Sequence, residues 1–146
     1  LVGIDFSRNM LELASKKINS KKVTFINADL NNRWPVKNNS FDLATINLTL
    51  EHIENLEHIF NSSFMKLTKG GKCFVCELHP KKQLLGSKAQ FEKNGIDIVL
   101  DVFHHSEIEY INSAEKAGFN LIAKKDWFDN AKDIPRLISF IFEKPK

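Results

Sequence analysis

Cysteine is scarce in this chain: Cys73 and Cys76, both in KCFVCEL, are the only two among 146 residues. Their C-x-x-C spacing raises the question of metal or redox chemistry. KCFVCEL reads as a strand, however, and strand residues an odd number apart point to opposite faces, so the two thiols share neither a metal nor a disulfide. A reducing, cytoplasmic setting is the expectation that follows. Long apolar runs are missing too, and no segment reaches the roughly twenty apolar residues that span a bilayer, so no membrane span is expected. Basic clustering is equally absent. The formal net charge is +3, with lysines dispersed as pairs such as Lys16-Lys17, Lys21-Lys22, Lys81-Lys82 and Lys124-Lys125, too diffuse to argue for nucleic acid. There is no visible secretory signal, internal repeat or low-complexity segment.

What is present is ordinary globular material. With 42% hydrophobic and 27% charged residues, the composition is that of a single domain, 1–146, with side chains enough for a core. Residues 1–5 read as a strand, and Ser7 as the N-cap of a helix to about Ile18, with Leu11, Ala14 and Ile18 on one face. KVTFINAD reads as a second strand ending at Asp29. NNRWPVKNNS is a polar connection in which Pro35 forbids regular structure. FDLATINL reads as a third strand, apolar enough to be buried on both faces.

From Leu56, the positions Leu56, Ile59, Phe60, Phe64 and Leu67 keep helical spacing, and Gly70-Gly71 is expected to stop that helix before strand KCFVCELH. Residues 80–105, part helix and part loop, carry Gln83, Phe91, His104 and His105 and are the expected cover over a site. Ser106 and Glu109 form a capping box for a helix ending near Gly118. FNLIAKKDWF and RLISFIFEK close the chain, joined by too short a link for anything but an antiparallel pair.

The alternation of strand and helix predicts right-handed crossovers and a parallel sheet. In such sheets ligands sit beyond the carboxyl ends of the strands, where an acidic side chain after the second strand accepts hydrogen bonds from ribose hydroxyls. Asp5, after LVGI, has that character. Asp29 in NADL and the exit of the third strand stand in the same order, so the three are expected to converge on one crevice. Each has a plainer alternative: Asp5 as a helix-entry residue, Asp29 as part of a turn. The five histidines, His52, His58, His79, His104 and His105, lack compact metal spacing, and no metal site is expected. His104 and His79 are the candidates for a general base, should the acceptor need to lose a proton. Trp127 and Phe128 suit either an acceptor pocket or the core.

This order of markers, with WPVKNNSFDLATINLTLEHI at its centre, resembles the class I S-adenosylmethionine-dependent methyltransferases, in particular the small-molecule, type 11-like branch. ELHPKKQ, VFHHSEIEYINSAEKAGF and IPRLISFIFEKP resemble the family's late substrate-facing segment, final helix and closing hairpin. The resemblance implies a Rossmann-like three-layer α/β sandwich whose mostly parallel sheet is closed by an antiparallel C-terminal hairpin. It implies S-adenosyl-L-methionine as cofactor and a small or medium-sized organic methyl acceptor as partner. On the same ground Asp5 would bind the ribose hydroxyls, with Phe6 or Met10 packing beside the adenine. Asp29 would accept the adenine amino group and the Leu30 amide would meet a ring nitrogen. Asn47 and Leu48 would lie near the methionine part.

The family's first strand and glycine-rich loop are missing from this sequence, and Leu1 has no initiator methionine before it. Residues upstream are therefore expected in the functional protein. Two rival readings accompany the methyltransferase. A NAD-dependent dehydrogenase also places an aspartate after its second strand, but fits Asp29 and the closing hairpin less well. A noncatalytic subunit that keeps the fold and binds a partner gains weight from the missing cradle.

Overall fold

A computed structural model describes residues 1–85, 90–93, 96–99, 102–129 and 133–146, with only the backbone described over 90–93 and 96–99. The chain falls into two compact units, Leu1–Lys37 and Asn38–Lys146.

The first unit is a βαβ unit. β1 (Val2–Asp5) leads into α1 (Arg8–Lys17), and β2 (Thr24–Asn27) returns parallel to β1, with Asp5 opposite Asn27. Ser7 caps α1 as expected, its hydroxyl accepting from the Met10 amide at 3.4 Å. Lys16 and Lys17 in the last turn suit the negative end of the helix dipole. No residue of α1 is fully buried, and Ile18, expected on the inner face, is exposed. β2 ends at Asn27, so Asp29 stands two residues past the strand.

The second unit is built on a four-stranded sheet in the order β3-β4-β8-β7. β3 (Phe41–Asn47) and β4 (Leu67–Leu78) are parallel, joined through a 3-10 turn (Leu50–His52) and α2 (Leu56–Lys66). After α3 (Pro80–Leu84), the segments β5 (Gln90–Lys93) and β6 (Ile96–Val99) pair antiparallel. α4 (Glu107–Lys116) then leads to β7 (Asn120–Trp127) and β8 (Leu137–Glu143), the expected antiparallel closing pair, with β8 also antiparallel to β4. β8 alternates in the pleat: Ile138, Phe140 and Phe142 are buried to 0% exposure, opposite Glu77, Val75 and Cys73 of β4. Edge-on aromatic contacts join Phe60 of α2 to Phe142 and Phe119, with centroids 5.4 and 6.4 Å apart, and Tyr110 of α4 lies 5.6 Å from Phe140.

Three expectations are corrected. β3 is not buried on both faces: among its residues only Ile46 is fully buried, and Leu43 is 57% exposed. α2 stops at Lys66, before the glycines. Leu67 turns to extended backbone, and Lys144 Nζ takes the Phe64 and Leu67 carbonyls at 2.8 Å each, satisfying the helix end. Gly70 and Gly71 instead lie within β4, where the register against β3 jumps. Gly70 has φ +78°, and a Cβ on Gly71 would lie 2.8 Å from the Thr68 carbonyl oxygen. The stretch 80–105, expected to be part helix and part loop, contains the β5-β6 hairpin, and the Phe91 side chain falls outside what is described.

Candidate functional site

In the first unit the parallel pairing of β1 and β2 sets Asp5 and the loop bearing Asp29 at the same end of the two strands. Asp5 is half-buried. Its Oδ1 accepts the Ser7 amide at 2.7 Å, an Asx-type turn that opens α1 and fixes the carboxylate's direction. Phe6 and Met10 are 69% and 54% exposed, so an acceptor of fixed direction stands beside apolar surface. Asn27, which the sequence reading did not single out, pins this corner. Its Nδ2 donates to the Asp5 and Phe6 carbonyls at 3.1 and 2.7 Å, and its Oδ1 accepts from Arg8 Nε at 3.2 Å. A polar residue ending an otherwise apolar strand was the available signal.

Asp29 organises its own turn. Oδ1 accepts from the Asn31 amide at 2.9 Å and from Asn31 Nδ2 at 3.0 Å, while Oδ2 faces Asn32 Nδ2 at 3.5 Å. Leu30 is held through its carbonyl, which accepts from Trp34 Nε1 at 3.0 Å. A carboxylate has about four acceptor positions, so the turn and an adenine amino group can be served together. An adenosyl group calls for carboxylate acceptors and apolar surface, and Asp5, Asp29, Phe6 and Met10 are groups of those kinds.

In the second unit the exit of β3 reverses sharply. Asn47 is exposed, and Leu48 has φ +48°, the left-handed region, where a branched side chain is strained. The Leu48 amide donates to the Cys76 carbonyl at 3.0 Å, and Thr49 Oγ1 to the Asn47 carbonyl at 2.9 Å. The following 3-10 turn is gripped from the segment before α4: the Phe103 amide donates to the Glu51 carbonyl at 2.7 Å, and His105 Nε2 lies 2.7 Å from the Ile53 carbonyl. His105, expected in a cover, is thus a buried packing residue, 5.7 Å from the Tyr110 ring.

Of the two histidines considered as bases, His104 is exposed on the segment leading to α4. His79 is 1% exposed and sits between β4 and α3. Its Nδ1 accepts the Lys81 amide at 3.1 Å, which places the proton of the neutral ring on Nε2, facing Glu107 Oε1 at 3.5 Å and Asp126 Oδ1 at 3.7 Å. Burial, the largest influence, pulls the imidazole pKa below its ordinary value against the opposing pull of Asp126 and Glu107. The three ligand atoms lie within 4.8 Å of one another, the spacing of a divalent-cation site. Lys124 is bonded to Glu107, while Asp126 Oδ1 is buried without a hydrogen-bond partner among the described residues, so one carboxylate oxygen of the group is left without a donor.

Gln83 is buried and donates to Glu51 Oε2 at 3.4 Å. Trp127 is 44% exposed, with Lys125 Nζ 3.8 Å above its ring and Nε1 donating to Ser139 Oγ at 2.8 Å; Phe128 is exposed. Cys73 is buried, its thiol pKa pushed up to about 12 by desolvation, and Cys76 is half-exposed; both are free. Opposite strand faces account for the absence of a bridge.

Strand, helix and strand in parallel, with an aspartate fixed after the strand, define a Rossmann-like nucleotide-binding architecture. Comparison with known proteins gives the family. Residues 1–75, half of the chain, match the family described as a methyltransferase domain, and the chain belongs to it. A demethylmenaquinone methyltransferase of Lactococcus lactis is 31% identical over 117 residues, 75% of this chain and 45% of that protein. A ubiquinone/menaquinone biosynthesis C-methyltransferase of Desulfotalea psychrophila is 29% identical over 80 residues, 55% of this chain and 32% of that protein. The chain thus spans less than half the length of these relatives. Among solved structures, an S-adenosylmethionine-dependent methyltransferase from Mesorhizobium loti superposes with a TM-score of 0.79 at 18% identity, covering 97% of this chain and 79% of that one. Another, from Clostridium acetobutylicum, gives 0.78 at 16% identity, over 99% and 75%. These two share the fold.

Proposed function

We propose that this chain carries part of an S-adenosylmethionine-dependent methyltransferase that acts on a small or medium-sized organic acceptor. The observation that carries the reading is Asp5, held after β1 by the Ser7 amide beside exposed Phe6 and Met10. Asp5 would accept from the ribose hydroxyls, Phe6 and Met10 would cover the adenine, and Asp29 and the Leu30 amide would read its edge. Asn47 and Leu48 would face the methionine part. When bound, the cofactor supplies a methyl group already on a good leaving group. The chain's own task is then to orient the acceptor and exclude water, and proximity of this kind is worth about 7–11 kcal/mol. The ring carbon of a quinol-like compound is a candidate acceptor, on the names of the two relatives. His104, exposed, is better placed than buried His79 to meet an acceptor proton.

Calorimetric titration with S-adenosylhomocysteine, with NAD as control, into this chain and into a form extended upstream by the glycine-rich strand tests this. Binding of the former alone to the extended form is expected, and Asp5→Ala there should weaken it by roughly ten- to a hundredfold, as expected for losing hydrogen bonds to a charged group. NAD binding, or indifference to Asp5→Ala, would refute the assignment.

A further inference from the structure

Glu77 is completely buried on the core-facing side of β4, yet the ionisable groups that face it are Glu51 of the 3-10 turn and the Tyr110 hydroxyl of α4, neither of which neutralises a carboxylate. Among the described residues no cation is paired with it. A carboxylate so placed needs strong donors. It has one in backbone form: both oxygens lie 3.1 Å from the Thr49 amide, and the Leu50 and Glu51 amides behind it favour the ionised carboxyl. The carboxylate thus sits at the start of the 3-10 turn, where exposed backbone N–H groups favour negative charge, and it is a side chain of the same unit.

We infer that Glu77 is a positioning residue for the β3 exit, its carboxylate holding the Thr49 amide at the head of the 3-10 turn so that Asn47 and Leu48 keep one presentation. Two consecutive residues of β4 act together in this. The Cys76 carbonyl takes the Leu48 amide, and the Glu77 side chain takes the next, that of Thr49. The reversal at Leu48, strained by its positive φ, is bracketed by these two grips. Glutamine at this position has the same shape, but one of its two terminal atoms is an NH2 group, which would confront N–H donors. The consequence for cofactor rests on the methyltransferase reading above; the consequence for loop order does not.

The test is residue-resolved hydrogen exchange, corrected for intrinsic rates, on the chain and on Glu77→Gln, with S-adenosylhomocysteine titrated into both and into their forms extended upstream by the glycine-rich strand. The expected result is a loss of about tenfold or more in protection at the Thr49, Leu50 and Glu51 amides, no comparable loss at Val75 and Phe140 in the β4-β8 ladder, and a weaker dissociation constant by a similar factor. Should the variant fail to fold, the parent chain alone decides. Burial raises the Glu77 carboxyl to about 7, so protection at those three amides should rise between pH 6 and 8 as it ionises. Uniform loss across the unit, or no local loss and no such rise, overturns the inference. Local loss with unchanged affinity overturns its link to cofactor. Local loss where neither this chain nor a form extended upstream by the glycine-rich strand binds S-adenosylhomocysteine supports the loop assignment and refutes the methyltransferase reading instead.

Discussion

At the scale of single residues, Leu48 shows where physical chemistry and sequence part company. Asn39 also has a positive φ, 49°, but asparagine tolerates the left-handed region and is common there. Leucine is not, and nothing in NLTLEH announces the conformation. Because Leu48 is 53% exposed, its side chain contributes little burial to offset the strain. Leu48→Gly should therefore melt at or slightly above the parent, whereas Leu48→Val, β-branched at the same φ, should lose about 1–2 kcal/mol. Urea midpoints for the three proteins measure this, and a valine as well tolerated as glycine would show that the backbone relaxes away from the left-handed region. The aspartates behaved differently. That Asp5 and Asp29 open turns after the strands was legible because strand, acid and turn follow one another in sequence. Glu77 was not, because its partners lie 28 residues upstream and its only local sign was a charge within an apolar strand.

Elements divide in the same way. The capping box at Ser106 was readable because both of its bonds are local: the Glu109 amide donates to Ser106 Oγ at 3.2 Å, and the Ser106 amide to Glu109 Oε2 at 2.7 Å. The Ser106 amide and hydroxyl, both donating to Glu109 Oε2, also hold the Glu109 carboxyl below its ordinary pKa. Ser106→Ala should cost about 1 kcal/mol in thermal or urea unfolding, and an unchanged midpoint would mean that the tertiary contacts of α4 suffice without its cap. The end of α2 was misread because what stops it is distant: Lys144, far along the chain, takes its last carbonyls. The β5-β6 hairpin was missed for another reason. Asn94-Gly95 stands between the two strands in sequence, a strong hairpin signal. QFEK and IDIV are four residues each and carry charge, so periodicity gave no support. The exposure of β3 could not be read at all, since an apolar run specifies what a strand prefers and not what covers it.

For the molecule as a whole, Glu77 makes local order and global stability depend on pH in opposite directions. Burial lifts its carboxyl from 4.5 to about 7, with Glu51 raising it further and the Thr49, Leu50 and Glu51 amides lowering it. The unfolded chain releases this proton near 4.5 and the folded unit near 7, so between these values the folded state binds more protons. Stability is then fully present below about pH 4.5, declines as pH rises, and is lost above 7. At about 1.4 kcal/mol per pKa unit, the decline is on the order of 3 kcal/mol. His79 acts at the other end: its depressed pKa makes the folded state resist protonation, so stability falls as pH drops below about 6.5. Glu77→Gln removes the first dependence and leaves the second. Relative to the parent, the variant should therefore gain stability from pH 5 to about pH 7 and level off towards pH 8, as read from urea midpoints at unit intervals. Equal slopes in the two proteins would mean that Glu77 titrates at its ordinary value and is ionised throughout. A decline in the parent alone would mean that the carboxylate gripping the β3 exit most firmly is also the one that weakens the unit around it, so that order at the exit is gained at the expense of the core.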